Sequence, residues 1–585
     1  MSEGLQTPTM PVSPGEASHS EVLPGRLNSM KLSEWKLVVL KFGSSVLTDS
    51  DRYQDVALEI YRWYRAGYRT IAVVSAMGTT TDALLAETRL HHRWADDGIT
   101  AHLLASGECI SAARLGLALD RFGIPARVLE PVGLGLKTAG PILDARCVQL
   151  ESGRILDALD ACPVVVVPGF VGQDELGNVT LLGRGGTDLS ALFIAEALAA
   201  ESCHLVKDVD GLYDLDPALH PEAASKFELA NYNDVLALDE GIVQHKAVQF
   251  AMVNERPFLV RSLNHNEGTK VCSQPSLLAT AGKASVPLRL AVFGEGDLLG
   301  CLKDMANRFG DFFEVVFAAN PESIDLADGQ SIATRWNRPQ MLVDLGHGKS
   351  ASQTIAALAL EQGMGLLSTN SEFLAESGPS LKSLFEAQNL PFLVDAAVGG
   401  VLPVAETIAR LSGTGQVRVV EALLSWPAQF VLNRILAGES LESASEEAKA
   451  LGISSQALAR ELAGQSSLHQ FLVCLNLGLA LDLAPSQIGV HSLKSLAGQF
   501  KTLGNDPSWH WRYLARLDLD PNAIEVKIDV RRLNASHPLV SLPPDGIGIC
   551  IYLRNGKQIV LHGRDSHPRS RILAVLGSLL SVSSP

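Results

Sequence analysis

Cysteine is scarce and never paired in pattern: 8 residues (Cys109, Cys147, Cys162, Cys203, Cys272, Cys301, Cys474, Cys550) are scattered over 585 positions with no Cys-x-x-Cys. This spacing fits buried thiols in a reducing compartment and counts against a disulfide framework or a structural zinc site. Long apolar runs are missing too, since no stretch approaches the roughly 18 residues of a bilayer-crossing helix. The N-terminus also lacks the basic and apolar regions of a signal peptide. A cytoplasmic protein without a membrane partner is expected. Positive charge is in deficit, 48 Lys and Arg against 64 Asp and Glu for a net charge of -16, which argues against a nucleic-acid surface. Anionic small molecules would need local basic sites.

What is present is core-forming residue, 46% hydrophobic against 19% charged. A single core rarely grows past roughly 250–300 residues, so at least two domains are expected. Residues 1–33 are rich in Ser, Pro, Gly and Glu without periodicity and read as a disordered tail. A second Ser-, Ala-, Gly- and Pro-rich stretch, 273–286, reads as a linker.

The stretch Leu182 to Pro217 carries the densest signal. A glycine-rich turn (Gly183, Gly185, Gly186) opens onto an apolar segment of helical period, Leu189 to Ala200, with Thr187 or Asp188 placed to cap it. Amides exposed at such a helix start favour an anion. Arg184 in the turn offers a planar fork of donors suited to a carboxylate. A strand, His204 to Val206, then ends in Lys207-Asp208-Val209-Asp210-Gly211. Ligands collect at the carboxyl ends of strands in α/β sheets, which puts Asp208 and Asp210 near a bound nucleotide. Either motif alone fits an ordinary surface loop; their close succession favours half of a kinase site.

Upstream, an apolar strand ends in Lys41-Phe42-Gly43-Ser44-Ser45, a lysine, a flexible backbone and two hydroxyls at one sheet edge, which suits polyphosphate. Taken alone it reads as a strand end with an exposed lysine. A second strand, Thr70 to Gly78, leads into a helix from about Ala83, the repeating unit of a parallel sheet. Ala105-Ser106-Gly107-Glu108 reads as another helix start, where Glu108 either meets the helix dipole or receives a substrate ammonium. Strands at Ala126–Leu129 and Val164–Val167 and a hairpin over Asp174–Asn178 bring the chain to Gly183.

Lys41 to Ser45, Val74-Ser75-Ala76-Met77-Gly78, Ser106-Gly107-Glu108, Pro168-Gly169-Phe170, Leu182 to Asp188 and Asp208-Val209-Asp210-Gly211 stand in the order and spacing of the aspartokinases. From Trp35 to Val271 the chain resembles that branch of the amino-acid kinase family. The resemblance implies a three-layer α/β/α domain over 34–272 that transfers the γ-phosphoryl group of ATP, with Mg2+, to the side-chain carboxylate of L-aspartate. It implies that Lys41 stabilises the transferring group, Asp188 positions that lysine and the substrate, Glu108 binds the ammonium and Arg184 the α-carboxylate, with Ser45 also on the substrate side. Gly43, Ser44, Gly185, Gly186, Lys207, Asp208, Asp210, Gly211 and Tyr213 would bound the nucleotide. No cluster of protein metal ligands is expected. An ionised carboxylate is already a nucleophile, so alignment and charge neutralisation suffice without a general base.

The chain departs from the family at several points. Its lysine loop is one residue shorter and resembles that of glutamate 5-kinases. Lys207 stands for a threonine, Ala218 for an arginine, and Gly241-Ile242-Val243-Gln244 for Gly-Ala-Lys-Val. Lys207 and Lys246 are the candidates to replace the lost basic contacts. The small regulatory domains that usually follow are not apparent.

From Leu288 to Val582 the chain resembles homoserine dehydrogenase, the usual fusion partner of aspartokinase. The resemblance rests on a strand, Leu288–Phe293, with the loop Gly294-Glu295-Gly296, on Val394 to Pro403, on Ala448 to Gly452, and on His537-Pro538-Leu539, likened to a late strand. It implies an α/β domain over 287–585, Rossmann-like over 287–395 and α+β over 396–585. Leu299 occupies the third glycine position of the dinucleotide fingerprint, so Gly294 and Gly296 read as a vestigial loop, against NAD(P) use. Both lysines of that family are replaced: Thr-Ala-Asn-Lys becomes Ser368-Thr369-Asn370-Ser371, and the catalytic lysine aligns with Gln470. Neither serine nor glutamine offers a proton-transfer group of suitable pKa, and the neighbouring His469 reads as structural. The late glycine-rich loop has Gly563-Arg564-Asp565-Ser566 as its nearest counterpart. A homo-oligomeric aspartate kinase with a decayed dehydrogenase is the leading expectation; a fully bifunctional enzyme, a non-catalytic regulatory paralogue and a kinase of another amino acid stay open.

Overall fold

A computed structural model describes residues 35–585 except 93, 221, 239–241, 266, 280–285, 310–311, 322–337, 347, 401, 414–415, 497–508, 521–522, 565–567 and 584–585. The expected tail over 1–33 lies outside the described residues, as do Gly241, Val401, Asp565, Ser566 and part of the proposed linker.

The first part of the chain is built on a nine-stranded sheet of β1 (Leu37–Phe42), β2 (Arg69–Val74), β3 (Ala126–Val128), β4 (Val164–Pro168), β5 (Ser202–Lys207), β6 (Phe227–Asn231), β7 (Phe258–Ser262), β8 (Thr269–Cys272) and β9 (Leu277–Leu278), beside a smaller four-stranded sheet. Their order in the sheet is β9-β6-β8-β7-β5-β1-β2-β4-β3. The central five, β7 to β4, are parallel. β1 is buried at all six positions and β4 at all five, the continuous apolar run of a strand covered on both faces. β9 pairs with β6, so Leu277 and Leu278 extend this sheet from within the stretch read as a linker.

Four helices position the site: α1 (Arg52–Arg65), α2 (Asp97–Arg121), α3 (Gly186–Ala197) and α4 (His245–Val253). Two helix starts differ from expectation. α2 begins eight residues before Ala105, because Asp96 accepts a hydrogen bond from the Ile99 amide at 3.1 Å and caps it there. Glu108 is therefore mid-helix, out of reach of the helix-start dipole. α3 begins at Gly186 behind Gly185 in the left-handed conformation, so Thr187 and Asp188 lie inside the first turn rather than capping it.

The second part begins with a parallel five-stranded sheet made of β10 (Leu288–Phe293), β11 (Phe313–Ala319), β12 (Met341–Asp344), β13 (Gly365–Ser368) and β14 (Phe392–Leu393), in the order β11-β10-β12-β13-β14. Helix α5 (Gly296–Arg308) follows β10. A six-stranded sheet holds β15 (Val417–Leu423), β16 (Gly489–Val490), β17 (Trp509–Asp520), β18 (Ala523–Asn534), β19 (Gly546–Leu553) and β20 (Gln558–Arg564), in the order β16-β18-β17-β15-β19-β20. Pro538–Val540 is a turn of 3-10 helix between β18 and β19, not the late strand expected at His537-Pro538-Leu539; His537 accepts the Leu539 amide and closes the turn. Helix α6 (Pro568–Ser583) returns to α1, so closely that a Cβ at Gly577 would sit 2.5 Å from the Tyr61 hydroxyl. One hydrophobic core runs through both parts. Among the described residues no helix is long and apolar enough to cross a membrane.

Candidate active site

β1 and β5 run parallel and side by side, with Lys41 next to last in β1 and Lys207 last in β5, so both lysines lie at the same sheet edge. Asp188, in the first turn of α3, meets both. Lys41 Nζ lies 2.6 Å from Asp188 Oδ1, and Lys207 Nζ lies 2.8 Å from Asp188 Oδ2. All three side chains are buried. Burial alone would raise the Asp188 carboxyl; Lys207 and Lys41 overcome it and hold the group below its ordinary value. Burial likewise drives the Lys41 ammonium down, with Asp188 opposing and Lys207 adding to the shift. Two lysines against one carboxylate leave one positive charge uncompensated in a dehydrated corner, a preformed place for an anion.

Glycine is required where the loops close over this centre. A Cβ at Gly43 would lie 2.5 Å from Lys41 Nζ, so any side chain there would displace the ammonium. Gly185 holds φ +70°, a conformation that costs an L-residue about 1–2 kcal/mol, and a Cβ there would collide with Gln244 at 2.2 Å. Gly186 packs under Phe170 and Leu182.

Glu108 enters from the middle of α2 and is only 3% exposed. The Ala76 amide is hydrogen-bonded to its carboxylate and Lys41 acts on it electrostatically, yet Oε2 has no hydrogen-bond partner among the described residues. Burial pushes the group up to about 8 against both of those influences. In the folded chain Glu108 therefore keeps a proton between about 4.5 and 8 that the unfolded chain has lost, and its contribution to stability disappears as pH climbs through that interval.

Ser45, Lys207 and Asp208 line a cavity of about 250 Å3, together with Arg52, Asp55, Asn264 and Arg308. Asp210 belongs to a separate cluster, accepting from the Tyr213 hydroxyl and from Lys226 Nζ, each at 3.1 Å, beside Gly211. Of the two candidate replacement lysines, Lys207 reaches the ionic centre. Lys246 instead ties Asp144 and the Leu182 carbonyl at 2.6 and 2.7 Å. Ser44 and Arg184 are exposed and do not line this cavity. Arg52, Asp55, Asn264, Arg308 and Lys226 carried no motif; only Lys226, close after the Asp208 turn, had even a positional cue.

In the second part, the expected dinucleotide loop keeps its turn but alters its surface. A Cβ at Gly294 would meet Leu345 at 2.8 Å, and Gly296 has φ +58°. Glu295, inside the loop, accepts from Asn320 Nδ2 at 3.0 Å. Ser371 and Gln470, the two lysine replacements, do converge: both line one cavity of about 300 Å3, beside the Arg460–Glu372 ion pair. His469, on the helix Gln465–Val473, is absent from that lining, and burial lowers its pKa.

The parallel strands at the centre of the first sheet thus carry two lysines and an acid at their carboxyl edge. Residues 36–262 match the model of the amino acid kinase family, and residues 403–580 match that of homoserine dehydrogenase. The chain thus carries an N-terminal amino-acid kinase domain and a C-terminal homoserine dehydrogenase-like domain. It is 37% identical over 239 residues to an aspartokinase of Thermus thermophilus, covering 40% of this chain and 59% of that protein. It is 34% identical over 260 residues to one of Corynebacterium efficiens, covering 44% and 60%. It thus spans about three fifths of the length of these curated relatives. A homoserine dehydrogenase from Thiobacillus denitrificans superposes with a TM-score of 0.45 at 13% identity, covering 51% of this chain and 74% of that one.

Proposed function

We propose that the kinase domain phosphorylates the side-chain carboxylate of L-aspartate with ATP, giving 4-phospho-L-aspartate and ADP. The observation that carries this reading is the Lys41–Asp188–Lys207 cluster facing a buried, incompletely satisfied Glu108. Glu108 receives the substrate ammonium and Arg184 the α-carboxylate, which leaves the side-chain carboxylate directed at the lysines. One of its oxygens bonds to the γ-phosphorus as the β,γ-bridging P–O bond breaks, and the bonding pair leaves on ADP. No proton has to move. Lys41 and Lys207 hold the oxygens that gain charge, and Asp188 keeps both ammonium groups at the sheet edge.

Among the described residues no group of three or more His, Cys, Asp or Glu side chains is arranged to hold a metal. Mg2+ in phosphoryl-transfer sites is carried largely by phosphate oxygens with one or two carboxylates. Asp208, exposed on the cavity, is the residue that would share it, and the ion would supply charge neutralisation there.

Purified full chain with MgATP and aspartate is expected to yield a hydroxylamine-trappable acyl phosphate. Normal binding of both ligands without trapped product would defeat the reading. Because Glu108 must be ionised to accept an ammonium, kcat/KM for aspartate should rise as pH approaches about 8. Glu108→Gln should abolish that limb and raise the aspartate KM about 10- to 100-fold, the worth of a charge-assisted hydrogen bond. A wild-type profile flat between pH 6 and 9 would contradict this role. Lys207→Thr, which installs the family's usual residue, should lower kcat/KM for ATP by about tenfold or more here, since Lys41 would then be the only cation on Asp188. Unchanged kinetics would remove Lys207 from the site.

The dehydrogenase-like domain, on this reading, transfers no hydride: Ser371 and Gln470 occupy its cavity where proton-transfer lysines would be needed. NADPH oxidation by the purified chain with aspartate semialdehyde would refute that.

A further inference from the structure

The cavity containing Ser45, Lys207 and Asp208 is closed by an arginine that the kinase domain does not encode. Arg308, the last residue of α5, comes from the dehydrogenase-like part and lines this cavity opposite the kinase residues. Its Nη1 donates to Asp55 at the start of α1, and its backbone carbonyl accepts from Asn264 Nδ2 at 2.9 Å, just beyond β7. Asp304 lies 3.5 Å from its Nε. Nη2 makes no hydrogen bond to any described residue, and the side chain keeps 34% of its surface exposed.

Asp55 is buried and shared by two guanidiniums, Arg52 at 3.0 Å and Arg308. Arg52, Arg308 and Lys207 thus face Asp55 and Asp208 around one small cavity. The kinase sequence meanwhile offers Ala218 and Val243 at the positions that the resemblance sets against basic side chains.

We propose that Arg308 is a phosphate-binding residue of the kinase site, supplied by the dehydrogenase-like domain, and that its ligand is the polyphosphate of the bound nucleotide. The inference rests on the phosphotransfer reading given above. A guanidinium already oriented by Asp55 and by its helix end presents its remaining donors to phosphate oxygens with little further ordering. The dehydrogenase-like domain then has a use independent of hydride transfer: it completes the nucleotide pocket of its neighbour. The competing role is structural, with Arg308 neutralising its helix terminus and bridging the two parts of the chain.

The two roles separate in the full-length protein. Isothermal titration with MgADP and initial rates with MgATP and aspartate would be compared for wild type, Arg308→Ala, Arg308→Lys and Arg564→Ala. Arg564 pairs with Asp120 of α2 at 3.1 Å, so its loss breaks a different bridge between the two parts, away from the cavity. Arg308→Ala should weaken MgADP binding and raise the ATP KM about 10- to 100-fold with the aspartate KM within about twofold. Arg308→Lys should recover part of the loss, and Arg564→Ala should behave as wild type. Unchanged MgADP affinity in Arg308→Ala, or an equal loss in Arg564→Ala, overturns the proposal, as does a wild-type chain that binds no MgADP. If wild type binds MgADP but forms no acyl phosphate, the aspartate reading fails while the Arg308 comparison still decides this one.

Discussion

Lys41→Met should lower kcat for acyl-phosphate formation by roughly 10²- to 10³-fold, about 3–4 kcal/mol of transition-state stabilisation, the range observed when one preorganised donor to a developing anion is removed. Methionine keeps the length and apolar stem of the side chain, so β1 should pack as before. Asp188 retains Lys207 at 2.8 Å and is not left as a lone buried charge. The loss should therefore appear in kcat, with the melting temperature and the aspartate KM little changed. A pH effect should vanish with it. Burial lowers the Lys41 pKa in the free enzyme, so wild-type kcat/KM should fall on the alkaline side as the ammonium deprotonates, and Lys41→Met should lack that limb. Bound polyphosphate should move the limb to higher pH in kcat, because a nearby negative charge favours the protonated amine. A variant keeping kcat within tenfold of wild type would transfer the principal role to Lys207.

Arg261→Met should produce the largest loss of stability, roughly 3–5 kcal/mol, as expected when one partner of a buried ionic network is removed. Arg261 is 1% exposed and donates to Glu59 Oε1 at 2.5 Å, to His204 Nδ1 at 2.9 Å, and to the carbonyls of Ser262 and His265. Its removal strands those acceptors and leaves Glu59 to Arg62 and the Trp63 indole alone. Burial would raise the Glu59 carboxyl; Arg261 and Arg62 together hold it at about 2. A depressed carboxyl contributes stability that is present above about 4.5 and lost as pH falls toward 2. Without Arg261, Glu59 should take up a proton nearer neutrality, so the acid limb of stability should move upward. His204 adds a second limb in wild type: burial and Arg261 keep it neutral in the fold, whereas the unfolded chain gains its proton below about 6.5. Denaturant titrations at pH 7.5 and pH 5 would measure both effects. A loss below about 1 kcal/mol at pH 7.5 would show that the network contributes little.

Legibility in the sequence followed chain distance. Lys41 with Gly43 is a local device: the glycine makes room for an ammonium two residues away, so the requirement is written in adjacent letters, whereas Gly185 makes room for the distant Gln244. The strands β1, β2 and β4 were equally readable, because a strand covered on both faces must be apolar throughout. Glu108 was found but misplaced, since the Ser-Gly pair before it imitates a helix start while the working cap, Asp96, lies 12 residues upstream. The 3-10 turn at Pro538–Val540 was missed for a related reason: three residues carry no period.

Lys207 shows the boundary between the two kinds of knowledge. As a letter it was an anomaly standing where related kinases carry threonine; in the fold it is the second cation on Asp188. Arg308 lies past that boundary, with no motif around it and hundreds of residues between it and Lys41. By itself the sequence determined the order of the strands in the chain, the glycine loops and the kinase character of the first domain, because these depend on residue type and near-neighbour spacing. Only the tertiary structure decided that Lys207 joins Lys41 on Asp188, that Glu108 is buried without a full set of partners, and that an arginine from the dehydrogenase-like part lines the kinase cavity. Burial and charge balance are sums over groups brought together from distant parts of the chain, and no local window contains them.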